Sequence, residues 1–329
     1  MALSLRRGTV SAVRSQNDEL IRIDVDGEPC LAYPRLTGPV EVGDEVVVNV
    51  QARELGLGSG GFDVLYLNLT RGLDAPASPN AHVMTLPYTP LQSAVRHVEE
   101  DGPLPDSIEG MPVVCCSLHS QVAPVCAGLR RRNLRIAYVQ VGGGALPVSL
   151  SDALRALKNV GLVGVAVAVS PCLDGDVQAV TIASALTWAR GRGYDVAVCS
   201  IGPGIVGTAS TLGHGGLAAA EAANTASALG GTSILAVRYS DADPRERHQG
   251  VSHHTRAIIE LARDAVVAWP RGLEAPEWLS PREEVDVDRW HEDCARVPLS
   301  HMGRGLAEDP CFFMVAFAAG RHARSLLAG

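Results

Sequence analysis

The sequence predicts an α/β protein, with a Rossmann-like three-layer parallel sheet and a small N-terminal antiparallel β-barrel. From residue 111 onward, short and uniformly apolar runs alternate with helix-like segments, a pattern typical of parallel strands that helices cover on both faces. Over residues 1–70, apolar and polar residues instead alternate in short stretches separated by turns, which is typical of a small barrel. Hydrophobic residues make up 47% of the chain but aromatic residues only 4%, so we expect an aliphatic core.

The length of the chain indicates more than one domain, because 329 residues exceed one typical core. We predict the barrel over residues 1–72 and the α/β domain, which carries the site, over residues 111–329. The segment between them, 73–110, is rich in Pro, Ala and Asn. It is predicted to be an ordered linker that contains a short helix at 91–100.

The barrel strands are predicted from alternation and turns. Residues 18–27 (DELIRIDVDG) alternate apolar and charged side chains up to an Asp-Gly turn. Residues 39–50 repeat the pattern around the Gly43-Asp44 turn. Residues 54–69 place a glycine-rich loop before a further strand.

In the α/β domain, six apolar strands alternate with helices that have recognisable ends. The helix at 149–161, for example, begins at a serine N-cap and stops at a glycine. The predicted strands are 111–118, 135–141, 162–169, 195–202, 232–240 and 265–270. The predicted helices are 121–133, 149–161, one ending near 190, 216–231, 252–264 and a last one within the tail 271–329.

Composition excludes several functional classes. The net charge of -8 disfavours binding to a phosphate backbone, so nucleic acid is not the expected partner. The N-terminal residues lack the apolar stretch of a signal peptide, and the longest apolar run, near 160–169, is too short to span a bilayer. We therefore expect a cytoplasmic protein. Its Ala-rich helices are compatible with a homo-oligomer, and its eight cysteines, with no CxxC pair, are expected to be buried thiols.

Ligands in open α/β sheets bind outside the carboxyl ends of the strands, and the loops predicted there carry glycines or polar residues. The loop GPGIVGTAS follows the fourth strand and precedes a helix, which favours anion binding through backbone amides. Tight-turn chemistry is the alternative explanation for its glycines. The predicted anion-binding residues of these loops are Gly143, Gly202, Gly204, Gly207 and Thr208.

The stretch RERHQGVSHHTRAII (245–259) concentrates titratable side chains after the fifth strand. Ser252 fits a helix N-cap, which places His253 and His254 in the first helical turn. Because histidine titrates near neutrality, both are candidates for acid–base catalysis. Arg245 and Arg247 are candidates to clamp a phosphate or carboxylate. Solvated loop charges and a core histidine are the alternative.

Two further sets of residues are candidates for the site. His119, which follows the first strand, is a third catalytic candidate. Asp241, Asp243 and His248, with Asp174 or Asp176, would suit a divalent metal, but the fixed spacing of metal ligands is missing. The sequence therefore assigns no metal ligand and identifies no cofactor.

Several segments resemble an uncharacterised bacterial family, a domain of unknown function, and the resemblance covers nearly the whole chain. It implies the two-part architecture and implies no activity. The segments are YTPLQ (88–92), LHSQ (118–121), GPGIVGT (202–208), DPRERHQGVSHHT (243–255) and MGRG (302–305).

The residues favour an enzyme that acts on a small anionic metabolite, one bearing a phosphate or a nucleotide. The alternative is a non-catalytic metabolite-binding or regulatory protein whose barrel contacts a partner. Nucleic-acid binding by the barrel is a third hypothesis, and the acidic charge and scarce aromatic residues count against it.

Overall fold

The computed structural model describes residues 3–56, 61–72, 78–262, 264–279 and 282–327. The chain forms two compact units, Met1–Pro79 and Asn80–Gly329.

The first unit contains a closed five-stranded barrel, as predicted, in the strand order β1-β2-β3-β5-β4. Every pairing is antiparallel except that of β3 with β5, which is parallel. Val10, Ile23 and Val46 fill its interior because alternate strand residues point inward. Part of the predicted glycine-rich loop, residues 57–60, lies outside the described residues. The elements are β1 (Leu5–Gln16), β2 (Ile21–Val25), β3 (Glu28–Ala32), α1 (Pro34–Thr37), β4 (Glu45–Asn49), α2 (Gln51–Glu54) and β5 (Asp63–Asn68).

The second unit alternates strands and helices from residue 112 onward. Its strands are β6 (Val83–Thr85), β7 (Ser93–Val95), β8 (Pro112–Cys116), β9 (Ile136–Val141), β10 (Val165–Val169), β11 (Val177–Ala179), β12 (Val196–Ile201), β13 (Thr232–Ala236), β14 (Tyr239–Ser240), β15 (Gly250–Val251), β16 (Val266–Pro270) and β17 (Glu283–Val285). Its helices are α3 (Val122–Leu129), α4 (Asp152–Asn159), α5 (Ile182–Gly191), α6 (Ala218–Ala228), α7 (His253–Leu261), α8 (Trp290–Cys294) and α9 (Pro310–Leu326).

Eight of these strands form one parallel sheet in the order β11-β10-β9-β12-β8-β13-β16-β17. Side chains of one strand alternate between its two faces: Val114 and Cys116 join the core under α3, α4, α8 and α9, whereas Val113 and Cys115 join the core under α5, α6 and α7. Both faces are covered, which is why the strands are apolar throughout. The predicted three-layer architecture is confirmed.

The loops that follow the strands determine where the crevice of this sheet lies. The chain leaves β8 toward α3 on one face of the sheet, but leaves the neighbouring strands β12 and β13 toward α6 and α7 on the opposite face. Loops that part to opposite faces leave a crevice outside the carboxyl ends of the strands. The crevice of this sheet therefore lies at the ends of β12, β8 and β13.

One predicted element is wrong. Residues 91–100 were expected to contain a helix, but β7 pairs there with β6 as an antiparallel hairpin, and a 3-10 turn follows at Val98–Asp101. Pairing with a neighbouring segment overrides the weak helical preference of this short stretch.

The eight cysteines are free thiols. Seven are buried and Cys311 is half-buried. Burial raises the pKa of Cys126 to about 12, so this thiol stays protonated and unreactive.

Over the described ranges of the chain, no helix combines the length and the apolar character needed to cross a bilayer.

Candidate functional site

Histidines, arginines and aspartates from separate loops meet at the carboxyl ends of β12 and β13. We call this group the histidine–arginine cluster. Its members are His214, Arg238, Asp243, Arg245, His248, His253, His254, His301, Arg304 and Asp309.

The loop after β12 delivers His214 to the cluster. Gly207 and His214 form an antiparallel bridge at the base of this loop, and the loop tip is exposed. The buried His214 ring stacks on His254, with 3.6 Å between ring centroids and 18° between planes. Neither nitrogen of His214 has a hydrogen-bond partner among the described residues, although the Thr211 carbonyl is close.

The start of α7 delivers two more histidines. Ser252 is the predicted N-cap, and its Oγ accepts a hydrogen bond from the His254 amide at 3.3 Å. The same Oγ lies 2.8 Å from Nδ1 of His248. The His253 and His254 centroids are 4.0 Å apart, and each lies 5.1 Å from that of His248. Both helix histidines thus join the cluster, together with a third from the loop.

Three arginines surround the buried carboxylate of Asp243. Arg245 binds it twice, with both N–O distances at 2.9 Å. Arg238 Nη2 lies 3.2 Å and Arg304 Nη2 3.5 Å from Oδ2 of the same carboxylate. Arg304 also donates through Nε to Asp309, at 3.2 Å. These ion pairs join the end of β13 to the segment that precedes α9.

Burial and charge shift the pKa values of these groups in opposite directions. Burial alone would raise the pKa of Asp243, but hydrogen bonds from Arg245 and the charges of Arg245 and Arg238 hold it well below its usual range. Burial lowers the pKa of Arg238 to about 10, against the attraction of Asp243. The carboxylate and the guanidinium are both ionised at neutral pH.

Three of the cluster histidines are neutral at pH 7 because burial lowers their pKa. Burial, with the positive charge of Arg238, lowers the pKa of His248 and of His301 to about 3. Burial and the neighbouring His214 ring lower the pKa of His254 to about 3 as well. These three imidazoles are therefore neutral at pH 7, and each has one nitrogen able to accept a proton.

Several buried polar atoms of the cluster have no hydrogen-bond partner among the described residues. They are Nε2 of His253, His254 and His301, Nε of Arg238 and Oδ1 of Asp309. Such atoms are uncommon in native proteins, since each costs about 1–3 kcal/mol, and they concentrate where a ligand or water completes the site. In this cluster such atoms lie close together, and each keeps a donor or an acceptor without a protein partner among the described residues.

His119, also predicted as catalytic, lies in a different hydrogen-bond network. Its Nε2 is 2.5 Å from Ser151 Oγ, and its Nδ1 is 3.2 Å from the Ile201 carbonyl and 3.3 Å from the Tyr138 hydroxyl. Burial lowers the pKa of His119 to about 4. Both ring nitrogens are engaged by protein groups, so His119 links the N-cap of α4, Tyr138 within β9 and the end of β12.

Two of the predicted anion-binding glycines lie where one loop packs tightly against another. A Cβ at Gly143 would lie 2.5 Å from the Gly215 carbonyl oxygen, and one at Gly202 would overlap the Ala145 carbonyl oxygen. Contacts this close need residues without side chains. Thr208 donates its amide and its hydroxyl to the Gly213 carbonyl. Gly204 has a positive φ of 72°.

Amides of the same loop are already engaged. The amides of Val206 and Gly215 donate to the carbonyls of Gly143 and Val206. Arg245 and Arg247 were predicted to clamp an anion. Arg245 joins the cluster through its side chain. Arg247 contributes its backbone carbonyl, which accepts a hydrogen bond from Nδ1 of His253 at 3.0 Å.

One carboxylate that was considered as a metal ligand is engaged by protein groups. Within the described ranges, no group of three or more His, Cys, Asp and Glu side chains is arranged to hold a metal ion. Asp176, one of the carboxylates considered, is bound to Lys158 Nζ at 2.6 Å and to the Ala166 amide at 2.8 Å.

Sequence reasoning missed Arg238, His301, Arg304 and Asp309. Arg238 follows a nearly uniform apolar strand, and a lone charge at that position was a usable signal. His301, Arg304 and Asp309 approach the cluster from a segment more than 40 residues beyond the histidines of α7, and no local pattern joins them to it.

Residues 29–320 match the model of a family described as a protein of unknown function, DUF3866. The chain belongs to the DUF3866 family. The match begins in β3 and ends in α9, so it includes three of the five barrel strands and all of the histidine–arginine cluster. No curated protein matches the chain. Membership of DUF3866 confirms the resemblance of the motifs and assigns no activity.

Proposed function

We propose that the protein is an enzyme that acts on a small anionic metabolite, bearing a phosphate or a nucleotide, at the histidine–arginine cluster. The observation that carries this proposal is Arg238. Its guanidinium is 2% exposed, is held charged beside Asp243, and has an Nε without a partner among the described residues. A buried, incompletely paired guanidinium is costly unless an anion completes its hydrogen bonds.

Charge balance supports an anionic ligand. Among the described residues, Arg238, Arg245 and Arg304 form ion pairs with two carboxylates, those of Asp243 and Asp309, which leaves one net positive charge. The cluster histidines whose pKa is lowered to about 3 are neutral and add no charge. Arg245 keeps 37% of its side chain exposed and can reach a ligand while it holds Asp243. A guanidinium matches phosphate and carboxylate oxygens in pairs.

The histidines supply the proton transfer. Nδ1 of His253 donates to the Arg247 carbonyl, so a neutral His253 has its lone pair on Nε2. That Nε2 has no partner among the described residues and is the acceptor of the proposed proton transfer. The stacked rings of His254 and His214 give an adjacent surface for the substrate.

Thermal unfolding with a panel of anions tests the binding half of the proposal. The panel contains inorganic phosphate, nucleotides, sugar phosphates and carboxylates. A ligand at 100 times its Kd stabilises the folded state by about 2.7 kcal/mol, a shift of roughly 4–5 °C for a protein of this size. Arg245→Gln should weaken the apparent affinity for the best anion, determined from the thermal shift, at least tenfold. Arg289→Gln, an exposed arginine paired only locally with Glu292, should leave it unchanged. A panel without any shift contradicts the proposal.

Variants of the histidines test the catalytic half. His253→Gln and His254→Gln should retain the thermal shift of the best anion and lose turnover by a factor of about 100 or more. Unchanged turnover in both variants contradicts catalysis by these residues. Saturable binding with no product from any member of the panel would instead favour the metabolite-sensing alternative.

A further inference from the structure

A serine and a histidine outside the proposed acid–base pair face each other at the edge of the cluster. Ser120 lies between β8 and α3, just after the carboxyl end of a central strand. Its side chain is half-buried, and its Oγ lies 3.1 Å from Nδ1 of His301. The two residues are 181 positions apart in the chain.

His301 is held firmly in the orientation that this contact needs. Its backbone exchanges hydrogen bonds with Arg304, at 2.8 and 2.9 Å. Its ring stacks on Phe312, with centroids 3.8 Å apart and planes 2° apart. His301 is 2% exposed, and its Nε2 has no partner among the described residues. An imidazole that stacks on Phe312 and has a serine hydroxyl within hydrogen-bond distance of Nδ1 has the geometry of a serine nucleophile and its base.

We propose that Ser120 is a nucleophile activated by His301, and that the substrate is an anionic ester or other activated acyl compound. This inference rests on the proposed function, because the arginines would hold the anionic part of the substrate. Ser120 Oγ forms a bond to the acyl carbon, and its proton passes to Nδ1 of His301. The carbonyl π electrons move to oxygen. When they return, the bond to the leaving group breaks and the leaving group takes the proton from His301. Water then cleaves the acyl-serine ester by the same steps.

Positive charge near His301 acts in opposite directions on the two charges that develop in this reaction. Arg238 and Arg304 place positive charge next to the imidazole. That charge keeps the resting ring neutral and opposes the imidazolium that forms when His301 takes the proton. The same charge favours an oxyanion beside Ser120.

The chain contains its own comparison. Ser151 and His119 form another serine–histidine pair at 2.5 Å, but Ser151 is 3% exposed and its Oγ already caps α4 by accepting the Leu154 amide at 2.9 Å. A buried capping hydroxyl is not open to an electrophile. Ser120 should react with one and Ser151 should not.

A fluorophosphonate probe tests the inference on the full-length protein. We expect one covalent adduct, mapped by peptide mass spectrometry to Ser120 and absent from Ser120→Ala. His301→Gln should slow labelling about 100-fold or more, whereas His291→Gln, which changes an exposed histidine, should not slow it. No adduct on Ser120 between pH 6 and 9, an adduct on Ser151 instead, or labelling of Ser120 at an unchanged rate in His301→Gln would overturn the proposal.

A second variant covers the case in which His301→Gln does not fold. Ser120→Cys should react with iodoacetamide at least tenfold faster than a cysteine in an unstructured peptide, since the positive charge of Arg238 and Arg304 beside His301 stabilises the thiolate. A rate no faster than the peptide overturns the proposal. Ser120→Ala should keep the thermal shift with anions, so failure of the nucleophile and failure of the anion site give different results.

Discussion

At the residue scale, Asp243 is the side chain on which the cluster most depends. It is 1% exposed and pairs with Arg238, Arg245 and Arg304. Asp243→Asn removes the negative charge and leaves a buried guanidinium unpaired. We expect the free energy of unfolding to fall by about 3–5 kcal/mol, measured by urea denaturation at pH 7.

A matched control lies three residues away. Glu246 carries the same charge in the same loop but is exposed. Glu246→Gln should change stability by less than about 0.5 kcal/mol. Equal effects of the two substitutions would show that Asp243 stabilises the fold through net charge and not through its ion pairs.

The contrast between His119 and His301 explains how much of the site could be predicted. His119 follows an apolar strand, so its place at the end of that strand was predicted from the sequence, but the hydrogen-bond network that it joins was not. Its catalytic role stays a prediction. His301 lies in a polar tail with no strand before it, and only the tertiary structure brings it to Ser120. The stretch around Ser252 was predictable because an N-cap is a local signal.

At the element scale, the sequence predicted what depends on burial and missed what depends on pairing. The strands β8, β9, β10, β12, β13 and β16 were found because both of their faces are covered, which leaves continuous apolar runs. The strands β11, β14, β15 and β17 have two or three residues each, too few to carry a periodic pattern. The β6–β7 hairpin was missed for the same reason.

The crossing of α3 and α9 depends on two glycines. A Cβ at Gly320 would overlap the Val125 carbonyl oxygen, and one at Gly128 would lie 2.8 Å from the Arg321 amide nitrogen. Since backbone atoms cannot yield as side chains do, Gly320→Ala should force the helices apart. We expect a loss of about 1–3 kcal/mol in the free energy of unfolding, despite the better helix propensity of alanine.

Gly191, also in a helix, provides the comparison. A Cβ there would lie 3.2 Å from Cγ of Pro105, a side-chain atom. Gly191→Ala should be within about 1 kcal/mol of wild type, because the gain in helix propensity offsets a small displacement of the proline. If Gly320→Ala were equally mild, the close α3–α9 packing would not be needed for stability.

At the scale of the whole molecule, the cluster links stability to pH. Unfolded histidine titrates near pH 6.5, whereas His248, His254 and His301 titrate at about 3 and His119 at about 4 in the folded protein. Between these values the unfolded chain binds more protons than the folded one. Acid therefore favours unfolding, and the stability present above pH 6.5 is lost progressively as the pH falls toward 3.

Each of these histidines should steepen the pH dependence by about 1.4 kcal/mol per pH unit in the interval where only its unfolded form is protonated. Urea unfolding at intervals from pH 7 to pH 4.5 measures this slope. The interval isolates the histidines, because the lowered pKa of Asp243 affects stability only below the ordinary carboxylate range, near pH 4. His248→Gln should reduce the slope by about 1.4 kcal/mol per pH unit, the contribution of one proton. His291→Gln, at an exposed position, should leave the slope unchanged. A free energy of unfolding that stays constant from pH 6.5 to 4.5 would mean that the cluster histidines are protonated in the folded protein.

The same slope also bears on function: a bound anion that draws protons onto these rings should shift the loss of stability to lower pH.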